Sequence, residues 1–308
     1  MEITSKRHPY KFYLTLILFD IILIIFAAFL LIKSLELNNG KYGLGSLFIF
    51  GIAVSITIGF IKNASNFVLN TKGLLFKNNF YPWEDLTTIK LTGKGDMVFT
   101  TGECATLIFK DNKKIEIFDD FYSNISDIKC YIQKNVVDKN EQTEISTEKQ
   151  SFIDINQEFF IPYKGNPIFS FRGIMTWGVI MFFILIPFFS KKTINSAGFT
   201  FISLISLIWF LLNSRAMYFF EISENFFIIR NHYYFWVKDI YNISDIREVV
   251  YDRQHKQPNS LRIISKDFNT KTYFAGSLTD KTWLEMKQEL ESKNISVRNH
   301  CIPENGIS

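Results

Sequence analysis

The residue best placed to do chemistry is Asp20, an acid inside an apolar run, Phe12 to Ile32, that holds no other charge. It lies nine residues past Lys11, roughly 13.5 Å along a helix and so near the middle of a bilayer that the run would span. A carboxylate at that depth costs roughly 2.5–3.5 kcal/mol to insert, so it must face protein and hold a partner. Two roles follow. One is a proton- or ion-linked site; the other is a structural bond to Ser55 or Thr57 of the next apolar run, or to Arg172 at the edge of the third. Transport would need a relay of further ionisable residues, and none stands near Asp20 in sequence.

The other reactive side chains form no known constellation. His8, His232, His255 and His300 lie in separate regions, without HxxxH or HExxH spacing. Cys104, Cys130 and Cys301 are odd in number, and none belongs to a CxxC pair, which argues against zinc, a redox pair or a disulfide framework. Thr92-Gly93-Lys94-Gly95-Asp96 lacks the full phosphate-loop pattern and reads as a hairpin turn. There is no GxSxG. No cofactor, metal or catalytic set is therefore expected. The densest basic stretch holds Arg247, Arg253, Lys256 and Arg262, a candidate contact for anionic lipid, or equally a solvated strand face diluted by Glu248 and Asp252. A net charge of +4, from 34 basic and 30 acidic residues, excludes the clustered footprint of a nucleic-acid binder.

The elements that must position these residues are apolar helices. Four runs are long enough to approach the roughly 30 Å hydrocarbon core: Phe12 to Ile32, Leu44 to Ile61, Gly173 to Phe189 and Ile194 to Leu212. Within the second, Gly51, Ser55 and Gly59 form a stripe of small residues expected to pack on the first helix or on a second copy of the chain. Lys6, Arg7, Lys11, Lys62, Lys164, Arg172 and Arg215 fall on one side of the four runs, against Lys33, Lys41, Lys191 and Lys192 on the other. The positive-inside rule then places both termini and both soluble parts in the cytoplasm, with Trp177 and Trp209 at that interface.

The runs belong to two similar units. Phe67, Leu69, Lys77 and Asn78 recur as Phe220, Ile222, Arg230 and Asn231 at an offset of 153 residues; Asp85-Leu86 recurs as Asp245-Ile246 at 160. Such self-similarity predicts an internal duplication with a small insertion between the two matches. Each soluble part reads as short strands closed by a helix. The first has strands near 66–69, 74–76, 86–91, 106–109 and 115–118, and a helix over 123–136. The second has strands near 218–222, 226–229, 233–237, 246–251, 261–264 and 271–274, and a helix over 279–291 with Thr279 as N-cap. The expected division is a hairpin at 1–62, a β-rich domain at 63–137, a polar linker at 138–157, a second hairpin at 158–214, a second domain at 215–300 and a tail at 301–308.

Two membrane helices, a turn bearing Gly73-Leu74 and a strand leading into Pro82-Trp83-Glu84-Asp85-Leu86 resemble the bacterial PH-like membrane proteins, here in tandem. The second unit keeps Ser244-Asp245-Ile246 but has no Pro-Trp pair, and Asn225-Phe226 stands where Gly-Leu would be. The resemblance implies an α+β membrane protein with four transmembrane helices in two hairpins, each followed by an antiparallel PH-like domain closed by a helix. It implies a multi-pass protein of the bacterial inner membrane and no enzymatic activity. The expected role is a scaffold or interaction module, touching membrane lipids and binding a protein partner or itself. A sensor of anionic lipid or ligand is the alternative; a transporter or membrane enzyme using Asp20 is a third.

Overall fold

The computed structural model describes residues 2–97, 101–138, 155–189, 196–253 and 257–303, with side chains at 186–189 and 197 left aside. Lys191, Lys192, His255, Lys256, most of the linker and the end of the tail lie outside the described residues. The protein is α+β, and its contacts divide it into two compact units, Met1–Ser146 and Thr147–Ser308.

The first unit begins with a strand the sequence reading did not anticipate, β1 (Ile3–Thr4). A π-helical turn, Pro9–Leu14, then leads into α1 (Thr15–Glu36), with His8 Nδ1 accepting from the N–H groups of Tyr10 and Lys11. Helix α2 (Gly40–Asn63) returns antiparallel, its start capped by Asn39. At 1.5 Å per residue, the 22 and 24 residues of α1 and α2 measure ~33 and ~36 Å, enough to cross a membrane. Apolar side chains such as Ile22, Ile25, Leu47 and Phe48 stand exposed around both helices, as lipid-facing helices require.

The chain then re-enters the sheet it left. Strands β2 (Phe67–Leu69), β3 (Gly73–Phe76) and β4 (Asn79–Pro82) join β1 in an antiparallel sheet of order β1-β2-β3-β4, with Ile3 opposite Leu69 and Thr4 opposite Val68. The hairpin is thus an insertion between two paired strands. The expected boundary at residue 62 does not separate hairpin from domain, because β1 lies upstream of it. Gly73 is required here, since a Cβ would sit 2.3 Å from the Tyr81 carbonyl oxygen.

A second sheet follows. Strands β5 (Leu86–Lys90) and β6 (Lys94–Asp96) run along one side of β7 (Thr101–Phe109), and β8 (Lys113–Phe118) along the other. Gly93 and Gly95 therefore do not form the expected hairpin turn: the chain continues past them as β6, and the Gly93 carbonyl accepts from Cys104. The turn at Asp111-Asn112 is present, with φ of 62° and 55°. Helix α3 (Ile125–Ile132) closes the unit and continues as a π-helical turn to Val137.

The second unit repeats this order. Strand β9 (Ile161–Tyr163) precedes α4 (Phe171–Phe189) and α5 (Ser196–Ser214), and then pairs with β10 (Tyr218–Ile222). With β11 (Phe226–Asn231) and β12 (Lys238–Asn242) they form a sheet of order β12-β11-β10-β9. Strands β13 (Ile246–Asp252), β14 (Ser260–Ser265) and β15 (Thr270–Phe274) make the second sheet. Helix α6 (Asp280–Ser292), capped by Thr279 Oγ1, buries Trp283 between Phe220 and Tyr251, at 5.8 and 4.7 Å between ring centroids. The helix does not end the domain: β16 (Ser296–Asn299) follows and pairs parallel to β13. Residues 233–237 are not a strand, because Asn231 Oδ1 accepts from the N–H groups of Tyr233 and Tyr234 and turns the chain out of the sheet.

Two details of register agree between the units. The 3-10 turns Trp83–Asp85 and Ile243–Asp245 occupy the same place, and each leads into a strand with a bulge after its first residue, between Leu86 and Thr88 and between Ile246 and Glu248. The lengths differ. Only α1, with the turn before it, and α2 are long and apolar enough to cross a membrane over their described residues; the apolar stretches Phe171–Leu185 and Gly198–Ser214 are shorter.

One buried contact in the first unit was invisible in the sequence. Lys129 of α3 and Asp119 form an ion pair at 2.6 Å, with side chains 0% and 1% exposed. Removing one member leaves a buried charge, so Lys129→Met should destabilise the unit by about 3–5 kcal/mol. Adding Asp119→Leu should recover most of that loss. Hydrogen exchange of β7, β8 and α3 in the reconstituted protein reads both effects.

Candidate functional site

The polar contact inside the first hairpin is built by helix packing. The face of α2 toward α1 carries Ser46, Ala53, Ile56, Thr57 and Phe60, at helical spacing. Ser46 Oγ donates to the Ala27 carbonyl at 2.8 Å. One hydroxyl, Thr57 Oγ1, lies 2.8 Å from Asp20 Oδ2 and 3.0 Å from the Ala53 carbonyl. Asp20 Oδ1 is buried without a hydrogen-bond partner. Of the three partners considered for Asp20, Thr57 is the one in place. Ser55 instead donates to the Gly51 carbonyl of its own helix, and Arg172 donates to Asn213 Oδ1 at 3.0 Å within the second unit.

Of the small-residue stripe, Gly59 is half-buried, while Gly51 and Ser55 do not face α1. Gly51 and Ser55 are exposed, and a Cβ on Gly51 would meet nothing within 4 Å. The nearest approach of an α2 glycine to α1 is at Gly43, where a Cβ would come 3.1 Å from Ser34 Oγ.

The basic residues of the second unit do not gather either. Arg247 and Arg253 stand at opposite ends of β13, about 20 Å apart at the rise of a strand. Arg247 is stacked on Phe268 at 4.4 Å, Arg253 is exposed, and Lys256 lies outside the described residues. Arg262 is 5% exposed in the middle of β14, between Val250 and Thr272. A lipid contact or a solvated strand face was expected for it; β14 is instead buried on both of its faces.

The base of the first hairpin is fastened to its domain. Phe12 and Phe60 pack on Phe121 at 5.7 and 5.8 Å, and Phe121 packs on Phe118 at 5.6 Å. Arg7 Nε donates to the Ala64 carbonyl, Tyr122 OH to the Ser65 carbonyl, and Lys11 pairs with Asp120. Beside this base, β1 and α3 border an open cleft of about 680 Å³, lined by Glu2, Lys6, Asp127, Cys130 and Lys134 among others. The outer edge of β1 is blunted, since Asn124 bonds the Thr4 carbonyl and the Lys6 N–H. Neither the cleft nor this cap was evident in sequence, because both depend on pairing across the hairpin.

Reactive groups are held in structural roles. Cys104 is fully buried, and burial pushes its thiol up to about 11, away from the thiolate a nucleophile needs. Among the described residues, no three of His, Cys, Asp and Glu gather as a metal site. No protein-family model and no curated protein matches this chain.

His232 provides a test of the second unit. Its ring packs on Phe219 at 4.7 Å, with Nε2 3.3 Å from Ser277 Oγ. Burial, with Lys164 adding, pushes its pKa from 6.5 down to about 4. Between those values the unfolded chain binds more protons than the folded one. The unit should therefore hold its full stability above about pH 6.5 and lose it as pH falls toward 4. Allowing for partial exposure, the loss is on the order of 1 kcal/mol. Denaturation measured across this range should show that slope, and His232→Gln should flatten it.

In the hairpin, the Asp20–Thr57 contact should behave as an ordinary intramembrane hydrogen bond. A double-mutant cycle with Asp20→Leu and Thr57→Val should give a coupling of about 0.6 kcal/mol and no more than about 1.7 kcal/mol.

Proposed function

We propose that the chain is a non-enzymatic integral membrane protein whose two hairpins hold two PH-like domains against the cytoplasmic face of the bacterial inner membrane, as an interaction module for a protein partner. One observation carries this. In each unit the strand before the hairpin pairs with the first strand after it, so the domain is fastened to the membrane segment by its own sheet. A flexible tether would serve an enzyme or a soluble domain equally well; a fastened one suits presentation of a fixed surface.

Further support comes from three sides. Helices α4 and α5 expose Phe171, Ile174, Phe182, Phe199, Phe201 and Leu204, the surface expected of a second spanning pair. The four-stranded sheet, the following meander and the closing helix, with the shared 3-10 turn and bulge, favour a PH-like, duplicated origin. Asp20 bonds within its own hairpin, which favours structure over transport. The cleft between β1 and α3, with Glu2 and Asp127 facing Lys6 and Lys134, suits a peptide segment of mixed charge better than a lipid tail.

A photo-crosslinking residue at position 134 of the full chain, in native membranes, should capture one protein. Asp127→Lys should abolish that product at unchanged abundance, while Asp20→Asn leaves it intact. Capture of lipid alone, or of the same products as a probe at position 281 on α6, would remove the cleft from consideration.

A further inference from the structure

The units differ most where the third and fourth strands of the first sheet are joined. In the first unit that join is Lys77-Asn78, two left-handed residues with φ of 51° and 64°. In the second it is residues 232–237, and the offset between the units grows from 153 to 160 across it. The added residues include Tyr233, Tyr234, Phe235 and Trp236. Val237 N–H donates back to the Tyr234 carbonyl, so the segment is a compact loop.

Two tyrosines fasten this loop to the second hairpin. Tyr233 OH donates to the Pro167 carbonyl and accepts from Trp177 Nε1, each at 2.9 Å, and its ring packs edge-on to Phe210 at 5.2 Å. Tyr234 OH donates to the Leu211 carbonyl at 2.7 Å. Trp177 is six residues into α4 and Leu211 three residues before the end of α5, roughly 9 and 4.5 Å from the helix bases. The loop therefore rises alongside the first turns of the hairpin. Its outer pair, Phe235 and Trp236, packed on each other at 4.9 Å, remains 85% and 67% exposed. Nearby on the same helix ends, Ile174, Leu211 and Leu212 are exposed as well.

We propose that this loop is a membrane anchor, inserting Phe235 and Trp236 into the lipid interface beside the second hairpin. It rests on that hairpin spanning the bilayer. The occupant is the glycerol and upper acyl region, not an anionic headgroup: the tip is aromatic and continuous with the exposed apolar ends of the helices. Amphipathic aromatic rings settle at that depth, and burying their surface is favourable at about 25 cal/mol per Å².

The test uses the full chain in phosphatidylcholine–phosphatidylglycerol vesicles, with Cys130→Ser and Cys301→Ser and the buried Cys104 left in place. A nitroxide is attached at one of four positions: Trp236→Cys, Phe235→Cys, Leu204→Cys in the middle of α5, or Lys281→Cys on α6. Collision with oxygen and with a water-soluble nickel chelate gives the depth of each. Labels at 235 and 236 should show an oxygen-to-nickel ratio several-fold above that at 281 and below that at 204. If 204 lies in lipid while 235 and 236 match 281, the loop is aqueous and the anchor is refuted although the hairpin spans. If 204 is itself open to nickel, the hairpin does not span and the anchor falls with it.

Discussion

Everything in the first unit depends on β1 and β2 remaining paired across the hairpin that separates them. Thr4 and Val68 are neighbours in the sheet, yet the whole of α1 and α2 lies between them in sequence. Closing a flexible loop of that length would cost several kcal/mol of chain entropy. Two antiparallel helices remove most of that cost, because packed helices bring their ends to within about 8–10 Å. The helical hairpin thus prepares the sheet, and the sheet in turn fixes the helix ends. The Phe12–Phe60–Phe121 contact and the Arg7 and Tyr122 bonds make the joint stiff. The second unit uses the same plan with different side chains. Tyr233, Trp177 and Asn231 do there what phenylalanines do in the first.

The polar groups in the first hairpin are few, and those named are satisfied locally except for Asp20 Oδ1. Ser46 and Thr57 both reach oxygen acceptors on helix α1. Such bonds add little individually in a membrane. Their effect is on register: they permit one alignment of two otherwise uniformly apolar helices. Register of the helices then sets register of β1 on β2, a chain of dependence running from single hydroxyls to the position of the whole domain.

Much of this architecture is legible in residue pattern. The first two spans follow from length and composition, most strands from β-branched and aromatic runs between turn residues, and the start of α6 from Thr279 as N-cap. The unreadable parts are those decided by distant partners. Strands β1 and β9 have two and three residues and no usable periodicity, and only their partners across the hairpins make them strands. Lys129 reads as a surface lysine until Asp119 is brought beneath it. Arg262 reads as a lipid contact or a solvated strand residue until β14 is flanked on both sides. The aromatic run at 233–237 satisfies every local rule for a strand, and Asn231 overrides them with two hydrogen bonds. Of the candidate sites, Asp20 was recognisable from residue type and depth, with Thr57 one of three partners left open. The cleft beside α3 was not, since one wall of it is the segment around β1.

The most direct test of the insertion is a disulfide across it. With Cys130 and Cys301 replaced by Ser, Thr4→Cys and Val68→Cys place two thiols on residues paired in register, within the 4.4–6.8 Å Cα separation a disulfide needs. A protease site added in the short turn between α1 and α2 would divide the chain between the two cysteines. After mild oxidation in native membranes and cleavage, the two fragments should migrate as one species and separate on reduction. Fragments that separate without reduction, while a Val68→Cys, Leu75→Cys pair across β2 and β3 oxidises normally, would show that the hairpin is not inserted in the sheet and would contradict the architecture described above.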